Sequence, residues 1–368
     1  EQQKETYLRK MVTGEWTGTM NLTEPEAGSD VGALTAKAVP ADDGSWRISG
    51  QKIYISWGEH DLAENIIHLV LARTPDSPPG TRGISLFLVP KFLVNDDGSL
   101  GERNDVRAVS LEHKMGLKAS PTCVMAYGEQ RGAVAYLVGD VNAGMRCMFT
   151  MMNDARLHVG LEGLGLSERA YQLALEYAAE RRQGRAIGAP KGHASPIIEH
   201  PDVRRMLMTM KANNEAMRAL IFDAVAAGDV QSHGVDEGDR LQGSNRIALL
   251  TPVAKAWATD LAVEMTSLGV QIHGGMGFVE EAGAAQHWRD SRIAPIYEGT
   301  NGIQAIDLVL RKLPLDEGKV VGSYLDEIQE TAAQLAEYDG GLSEMAGNLR
   351  RAVAALRETT EWLLDGTD

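Results

Sequence analysis

The sequence predicts a multidomain α+β protein, in which an antiparallel β-barrel or sandwich precedes an antiparallel bundle of the four-helix type. Short β-rich runs separated by turn-forming residues extend from Trp16 to about Asp140, and long helical patterns follow Gly144. The chain's 368 residues allow two or three domains. The predicted limits are 1–143 for the β domain with a leading helix over 1–12, 144–313 for the bundle, and 314–368 for an additional helical segment.

Composition excludes several functional classes. The net charge of -15 argues against a general binder of nucleic acid or anionic membranes, which needs a basic surface. Cys123 and Cys147 are far apart and the nine histidines show no ligand spacing, so we predict no metal and a reduced compartment. No apolar run approaches the ~20 residues that cross a bilayer. We expect a soluble, cytoplasmic protein of bacterial type. Because Glu1 is not Met and 1–11 already has a helical pattern, we also expect that an upstream segment is missing.

Turn residues define the predicted β domain. Asp42-Asp43-Gly44 lies between two strand-like runs, 34–39 and 46–49, and predicts a hairpin. The further predicted strands are Lys52–Ser56, Asn65–Ala72, Gly83–Val89, Val106–Glu112 and Thr122–Tyr127. This spacing favours an antiparallel barrel or sandwich over a parallel sheet interleaved with helices.

Apolar periodicity predicts the helices that follow. The predicted helices are Phe149 to about Arg182, Asp202–Ala227, Thr251–His273 and Ala284–Ala294, with one charged amphipathic helix from Glu317 almost to the end. Gly184–Pro201 and Gly228–Gly243 are predicted loops.

The segment 295–302 isolates one carboxylate between two helices. Pro295 ends the preceding helix, and Thr300 or Asn301 can cap the next one, whose predicted apolar stripe is Ile303, Ile306, Leu310 and Leu313. Glu298 is therefore a candidate general base. The alternative is a first-turn Glu that complements a helix dipole.

Three other segments are candidate ligand sites. Leu22–Asp30 follows the first strand and could hold a phosphate or planar ligand, or form an ordinary turn. Tyr54–Gly58 could stack on a flat ring, or pack in the core. Gln271–Gly277 has more glycines than a helix cap requires, which suggests close approach of a ligand or a neighbouring subunit.

Together these segments resemble the flavin-dependent acyl-CoA dehydrogenases. Thr23-Glu24-Pro25 with Ala27-Gly28-Ser29-Asp30 is similar to the family's flavin-binding signature. Arg289–Ile293 through Ile296–Thr300, with Ile303-Gln304, is similar to its C-terminal signature. The similarity runs in order from Glu1 to about Leu313 and is strongest to the long bacterial subgroup of 3-methylmercaptopropionyl-CoA dehydrogenase type. In this family an N-terminal helical domain comes before the region of similarity, so we expect that domain to precede the point where this sequence starts.

The resemblance implies an activity, a cofactor and partners. FAD would lie between the β domain and the bundle, and Glu298 would remove a proton from an acyl-CoA while hydride passes to the flavin, giving a trans-2-enoyl-CoA in fatty-acid β-oxidation. Electrons would pass to an electron-transfer flavoprotein, and the protein would form a homodimer or homotetramer. The alternatives are an acyl-CoA oxidase that uses oxygen, or a non-catalytic flavin-binding subunit.

The resemblance also assigns individual residues. The implied FAD-binding residues are Met20, Asn21, Leu22, Thr23, Tyr54, Ile55, Ser56, Arg181, Gln271, Gly274, Gly275, Thr300 and Asn301. Of these, Arg181 and 271–275 would hold the FAD of a neighbouring subunit. The implied substrate-binding residues are Ser29, Asn153, Arg156 and Gly299. Some members carry the base at the position of Ala155, which cannot act as one, so the resemblance favours Glu298.

Overall fold

The computed structural model describes residues 2–338 and 341–366. The chain divides into two compact units, Glu1–Met152 and Asn153–Asp368. Helix α2 (Gly144–Glu180) begins where the sequence predicts the second domain, but Met148 and Met152 in its first turns pack with the β structure. Within the described ranges, no helix is both long enough and apolar enough to cross a membrane.

In the part of the chain that the structure describes, ten strands follow a short leading helix, Lys4–Leu8 continuing as α1 (Arg9–Val12). The strands are β1 (Thr17–Asn21), β2 (Lys37–Pro40), β3 (Trp46–Ser56), β4 (Ile66–Arg73), β5 (Ile84–Pro90), β6 (Phe92–Val94), β7 (Leu100–Arg103), β8 (Val106–Leu111), β9 (Thr122–Tyr127) and β10 (Ala133–Val138). The hairpin predicted at 42–44 is confirmed, since β2 and β3 pair antiparallel across it.

The main sheet is barrel-like, which confirms the predicted fold class. Its strand order is β1-β4-β5-β10-β3-β9-β8, and β2 pairs with both β3 and β4, so that β2, β3, β10, β5 and β4 form a closed ring. Most pairs are antiparallel, but β4 pairs parallel with β1 and with β2. A parallel pair needs a long connection, and the more than forty residues between β1 and β4 provide one.

Strand β5 shows how the barrel is filled. Every residue of β5 is buried, because successive side chains point to opposite faces and both faces are covered. Phe87 and Val89 enter the barrel core beside Ile48, whereas Ile84 and Leu86 pack against Met148 and Met152 on the other face. The mostly apolar sequence of β5 is therefore explained by hydrophobic contacts on both of its faces.

Seven helices account for most of the described second part of the chain. They are α2 (Gly144–Glu180), α3 (Pro201–His233), α4 (Glu237–His273), α5 (Ala284–Ser291), α6 (Asn301–Asp307), α7 (Lys319–Leu335) and α8 (Leu342–Asp365). Helices α2, α3 and α4 share two apolar clusters, and α4 also packs on α7 and α8. A Cβ atom at Gly163 would lie 3.0 Å from the Ala258 carbonyl oxygen, so glycine permits the close approach of α2 and α4.

The predicted loop at Gly228–Gly243 is wrong. Helix α3 continues to His233 and α4 begins at Glu237, where Asp236 caps it by accepting a hydrogen bond from the Asp239 N–H at 2.9 Å. A Cβ atom at Gly243 would lie 2.6 Å from the Ala227 carbonyl oxygen. This glycine serves helix–helix contact, which a single-chain pattern cannot distinguish from a turn.

The single C-terminal helix predicted from Glu317 is also wrong. The chain forms two helices, α7 and α8, and 339–340 between them lie outside the described residues. Val321 and Leu325 of α7 pack with Val353 of α8 against Leu249 and Leu313. The region is amphipathic and helical as predicted, but its apolar residues lie on two helices that pack together.

Candidate active site

Glu298 lies in a strained turn between α5 and α6. Its φ is 54° and that of Gly299 is 86°, so two successive residues have left-handed backbone conformation. Such a conformation costs about 1–2 kcal/mol for a residue with a Cβ atom. Thr300 then caps α6, because its Oγ1 accepts a hydrogen bond from the Ile303 N–H at 3.2 Å, so of the two caps that the sequence allows the structure has Thr300.

Side chains from three helices hold the backbone of this turn. Arg156 Nε of α2 donates to the Glu298 carbonyl oxygen at 3.3 Å. Lys255 Nζ of α4 donates to the Gly299 carbonyl oxygen at 2.8 Å, and Gln304 Nε2 of α6 donates to the same oxygen at 3.3 Å. The two carbonyl groups therefore point into the bundle and fix the peptide units on either side of them.

Asn301 is a second attachment point for the turn. Its Oδ1 accepts from Lys255 Nζ at 2.9 Å, and its Nδ2 donates to the Ala256 carbonyl oxygen at 3.1 Å and to Asp260 Oδ1 at 2.8 Å. Thr259 Oγ1 lies 3.1 Å from the same amide nitrogen. The Asn301 side chain is thus tied to α4.

The buried face of α6 is polar. Gln304 and Asp307 are buried, whereas Ile306 and Leu310 are 50% and 61% exposed. The predicted apolar stripe is therefore wrong at Ile306 and Leu310, although Leu313, beyond the end of α6, is buried. Asp307 pairs with buried Arg156 at 3.6 Å, so a charge pair determines which face turns inward.

Burial has the largest effect on the pKa of the Glu298 carboxylate. It raises the pKa of Glu298, and the positive charges of Arg156 and Lys255 offset that rise only in part. Burial lowers the pKa of Lys255 to about 8, so its ammonium group is still mostly protonated at pH 7. A carboxylate of raised pKa near two cations can be ionised yet basic, as a general base requires.

A second half-buried carboxyl group lies beside the turn. The Tyr297 hydroxyl donates a hydrogen bond to Glu162 Oε2 of α2. Burial raises the pKa of Glu162, and the hydrogen bond from Tyr297 acts in the opposite direction. Glu162 is two helical turns beyond Ala155 and therefore lies on the same face of α2.

We expect Gly299→Ala to lower the free energy of unfolding by about 1–3 kcal/mol. The new Cβ atom would meet Gln304 Nε2 at 2.7 Å, and alanine disfavours a φ of 86°. Urea unfolding measures the difference. Gly302→Ala is the matched control, because Gly302 lies in α6 and its added Cβ would have no neighbour closer than 3.7 Å. Equal stability of the two variants would contradict this account of the turn.

The first unit brings two predicted flavin-binding stretches together. Thr19 Oγ1 of β1 donates to the Ser56 carbonyl oxygen of β3 at 2.7 Å, and the Ile53 N–H donates to the Thr23 carbonyl oxygen at 2.9 Å. Tyr54 has a φ of 59°, and its side chain is 62% exposed. Residues 20–23 and 54–56 are thus neighbours, with an aromatic ring and the exposed Ser56 available to a ligand.

Not every predicted side chain in these stretches is accessible. Asn21 is fully buried, and its Oδ1 accepts a hydrogen bond from the Tyr127 hydroxyl at 2.7 Å. Ile55 is buried in the barrel core, and Met20 and Leu22 pack against an apolar cluster. Any contact of Asn21 or Ile55 with a ligand must therefore use backbone atoms.

A buried ion pair holds the loop after β1. Lys52 Nζ donates to Glu24 Oε1 at 2.8 Å and to the Leu22 carbonyl oxygen at 2.9 Å. Glu24 also accepts hydrogen bonds from the backbone N–H groups of Thr35 and Ala36, at 2.6 Å and 3.1 Å. Ser29, later in the same loop, is exposed.

The remaining predicted residues form a separate group. Arg181 directly follows α2, and 271–275 span the C-terminal end of α4. The stacked rings of Tyr177 and His273 join these two helix ends, at 4.5 Å between centroids. Arg181 is 25 residues beyond Arg156, which corresponds to about 37 Å along a helix. This group therefore cannot contact the turn around Glu298 in the same chain. Asn153 is exposed near the start of the second unit.

Sequence reasoning missed three residues of the site. Lys255 and Glu162 are lone charged residues in stretches rich in apolar and small residues, Ala254–Trp257 and Val159–Leu164. A charged residue that is buried with its apolar neighbours needs a partner, so a lone charge in an apolar stretch is a signal that such a partner exists elsewhere in the fold. Asp307 gave no comparable signal, since its role depends on Arg156 of another helix.

The chain matches two models of one protein family. Residues 19–128 match "Acyl-CoA dehydrogenase, middle domain", and 142–313 match "Acyl-CoA dehydrogenase, C-terminal domain". A 3-methylmercaptopropionyl-CoA dehydrogenase of Ruegeria pomeroyi is 51% identical over 98% of this chain and 61% of its own length. A short-chain-specific acyl-CoA dehydrogenase of Megasphaera elsdenii is 30% identical over 83% of this chain and 70% of its own length.

A solved structure shows the same relationship. The butyryl-CoA dehydrogenase of Megasphaera elsdenii has a TM-score of 0.66 and 28% identity, covering 83% of this chain and 70% of that chain. The chain spans only 53–61% of the length of the first four curated relatives. Both family models, in the expected order, and the fold agree with the signatures around Glu24 and Glu298. The chain therefore belongs to the acyl-CoA dehydrogenase family, whose members are FAD flavoproteins.

Proposed function

We propose that this protein is an FAD-dependent acyl-CoA dehydrogenase that converts an acyl-CoA thioester into its trans-2-enoyl-CoA. The observation that carries this proposal is Glu298, a half-buried carboxylate in a left-handed turn whose carbonyl groups are held by Arg156 and Lys255. A purely structural turn does not need a carboxylate at this strained position.

Glu298 is the proposed base. It takes the proton from the carbon next to the thioester, and burial favours this because it raises the pKa of the carboxylate. The Glu298 backbone N–H is the proposed donor to the thioester oxygen. Bound FAD supplies the acceptor for the hydride that leaves the following carbon. One proton and one hydride are removed, and the carbon–carbon bond becomes double.

The residues of the β domain are chemically suited to a flavin. Residues 20–23 and 54–56 are adjacent, and the exposed Tyr54 ring and Ser56 side chain offer a stacking surface and a hydrogen-bonding hydroxyl. We propose that these two stretches, with Thr300 and Asn301, hold FAD. Since Arg181 and 271–275 are too distant from Glu298, we propose that they contact the FAD of a neighbouring subunit in a homodimer or homotetramer.

The exposed residues Ser29 and Asn153 remain the proposed contacts for CoA, together with Gly299. Arg156 was predicted to contact CoA as well. Its buried pair with Asp307 and its bond to the Glu298 carbonyl favour a role in holding the turn. We propose an electron-transfer flavoprotein as the physiological acceptor, on the basis of the family resemblance.

The test is the visible spectrum of the purified protein before and after anaerobic addition of acyl-CoA thioesters. We expect an oxidised-flavin spectrum that is bleached by one of a panel containing butyryl-CoA, 3-methylmercaptopropionyl-CoA and longer thioesters, but not by free CoA. Absence of bound flavin, or flavin that no thioester bleaches, would contradict the proposal. Rapid aerobic peroxide formation would instead indicate an oxidase.

A further inference from the structure

Lys255 is a buried charge at the back of the turn that carries Glu298. Its side chain has no solvent exposure, although it lies on α4 among Ala254, Ala256 and Trp257. The ammonium group donates to the Gly299 carbonyl oxygen at 2.8 Å and to Asn301 Oδ1 at 2.9 Å. The Lys255 side chain thus binds both Gly299 and Asn301, one and three residues after Glu298.

The turn needs such an attachment. Glu298 and Gly299 both have positive φ, and a strained conformation persists only when its surroundings impose it. Arg156 holds the turn from the Glu298 carbonyl, but its charge is also engaged by Asp307 at 3.6 Å. The bond from Lys255 to the Gly299 carbonyl oxygen is shorter than the one from Gln304, at 2.8 Å against 3.3 Å, so Lys255 is the closer attachment of this carbonyl group.

The charges around Lys255 include the carboxylate it would assist. The groups that act on its ammonium group are Asp260 of the same helix, Arg156 and Glu162 of α2, and Glu298 of the turn. Asp260 is also hydrogen-bonded to Asn301, and Glu162 to Tyr297. Burying an ammonium group is unfavourable unless it is paired, so its retention here points to a requirement of the turn.

We propose that Lys255 is a positioning residue, which fixes the direction of the Glu298 carboxylate through Gly299 and Asn301 and favours its ionised form through its positive charge. This inference rests on the proposed role of Glu298 as the base. It adds a residue that does not touch the substrate but controls both the geometry and the charge state of the group that does.

Lys255→Met keeps the approximate size of the side chain and removes its charge and its hydrogen bonds. We expect kcat to fall roughly 10- to 100-fold, because small misplacements of a base are costly. The acid limb of the kcat/KM profile should move to higher pH, since loss of a nearby positive charge disfavours the ionised carboxylate. Lys211→Met, at an exposed lysine paired with Glu215 on α3, is the control and should leave both unchanged.

Hydrogen–deuterium exchange of the 296–304 backbone supplies a readout independent of activity. We expect faster exchange in Lys255→Met than in the Lys211→Met control. Lys255→Gln removes the charge but keeps a donor, so it should shift the pH profile with a smaller effect on exchange. It also keeps the test available if Lys255→Met does not fold, as judged by thermal unfolding.

An unshifted acid limb together with unchanged exchange in a folded Lys255 variant would overturn the inference. Failure of the proposed function looks different. In that case the wild-type protein would not be reduced by any thioester, or Glu298→Gln would retain turnover, while the exchange measurement would still report whether Lys255 holds the turn.

Discussion

Glu298→Gln is expected to lower the rate of flavin reduction by an acyl-CoA by about 10²–10⁴-fold, the usual contribution of a general base. The amide has nearly the same shape as the carboxylate, so the turn and the bonds to its carbonyl groups are retained. Only the ability to accept the proton is lost. Anaerobic single-turnover absorbance measures the reduction rate directly, and the spectrum before mixing verifies that flavin is bound.

The pH dependence of the wild-type protein gives a second measure of the same group. Because burial raises the pKa of Glu298, activity should fall as the pH decreases through a value above the ordinary 4.5. The matched control for Glu298→Gln is Glu281→Gln, which changes an exposed glutamate and should leave the rate of flavin reduction at the wild-type value. If Glu298→Gln kept the wild-type rate, Glu298 would not be the base, and the half-buried carboxyl group of Glu162 would be tested next.

Lys52→Met is expected to lower the free energy of unfolding by about 3–5 kcal/mol, the usual cost of removing one partner of a buried ion pair. Lys52 and Glu24 are both buried, and the substitution leaves the Glu24 carboxylate without its cation. It also removes a hydrogen bond to the Leu22 carbonyl oxygen, within the proposed flavin-binding stretch. Urea unfolding measures stability, and the ratio of flavin to protein absorbance measures cofactor retention, which we expect to decrease.

Arg131→Met is the control, because Arg131 forms an exposed pair with Glu102 at 3.5 Å, and exposed pairs contribute at most about 1 kcal/mol. A similarly small effect of Lys52→Met would contradict this account.

The pH dependence of the free energy of unfolding provides a further check on the Glu24–Lys52 pair. Burial raises the pKa of Glu24, but Lys52 and the bonds from Thr35 outweigh burial and hold it below 4.5. The stability from Glu24 is therefore complete above its unfolded pKa and is lost as pH falls through the lowered folded value.

Much of the fold could be predicted because it depends on local chemistry. The Asp42-Asp43-Gly44 hairpin follows from turn residues between strands, and the Thr300 cap follows from a short hydroxyl side chain ahead of a helix. The prediction failed where a glycine has two possible uses. At Gly243, close contact between α3 and α4 requires a small residue inside a helix, and the same residue in a sequence suggests a loop.

The candidate site was predictable only where its residues are consecutive. Glu298 stands out because a proline, a glycine and a cap surround it within a few positions. The residues that hold it are far away in the chain, and Arg156, Lys255 and Asp307 meet there only because α2, α4 and α6 pack together. Apolar periodicity also predicts the wrong buried side for α6. Asp307 is buried because it pairs with Arg156, and Ile306 and Leu310 are exposed instead.

The sequence by itself determined the fold class, the family and the candidate base, because these depend on short motifs and on the spacing of apolar residues. Only the tertiary structure decided which carbonyl groups Arg156 and Lys255 bind, and that Glu24 and Lys52 form a buried pair. It also decided that Arg181 and 271–275 lie far from Glu298. These features depend on distances between residues remote in the chain, and those distances are set by helix and strand packing rather than by local preference.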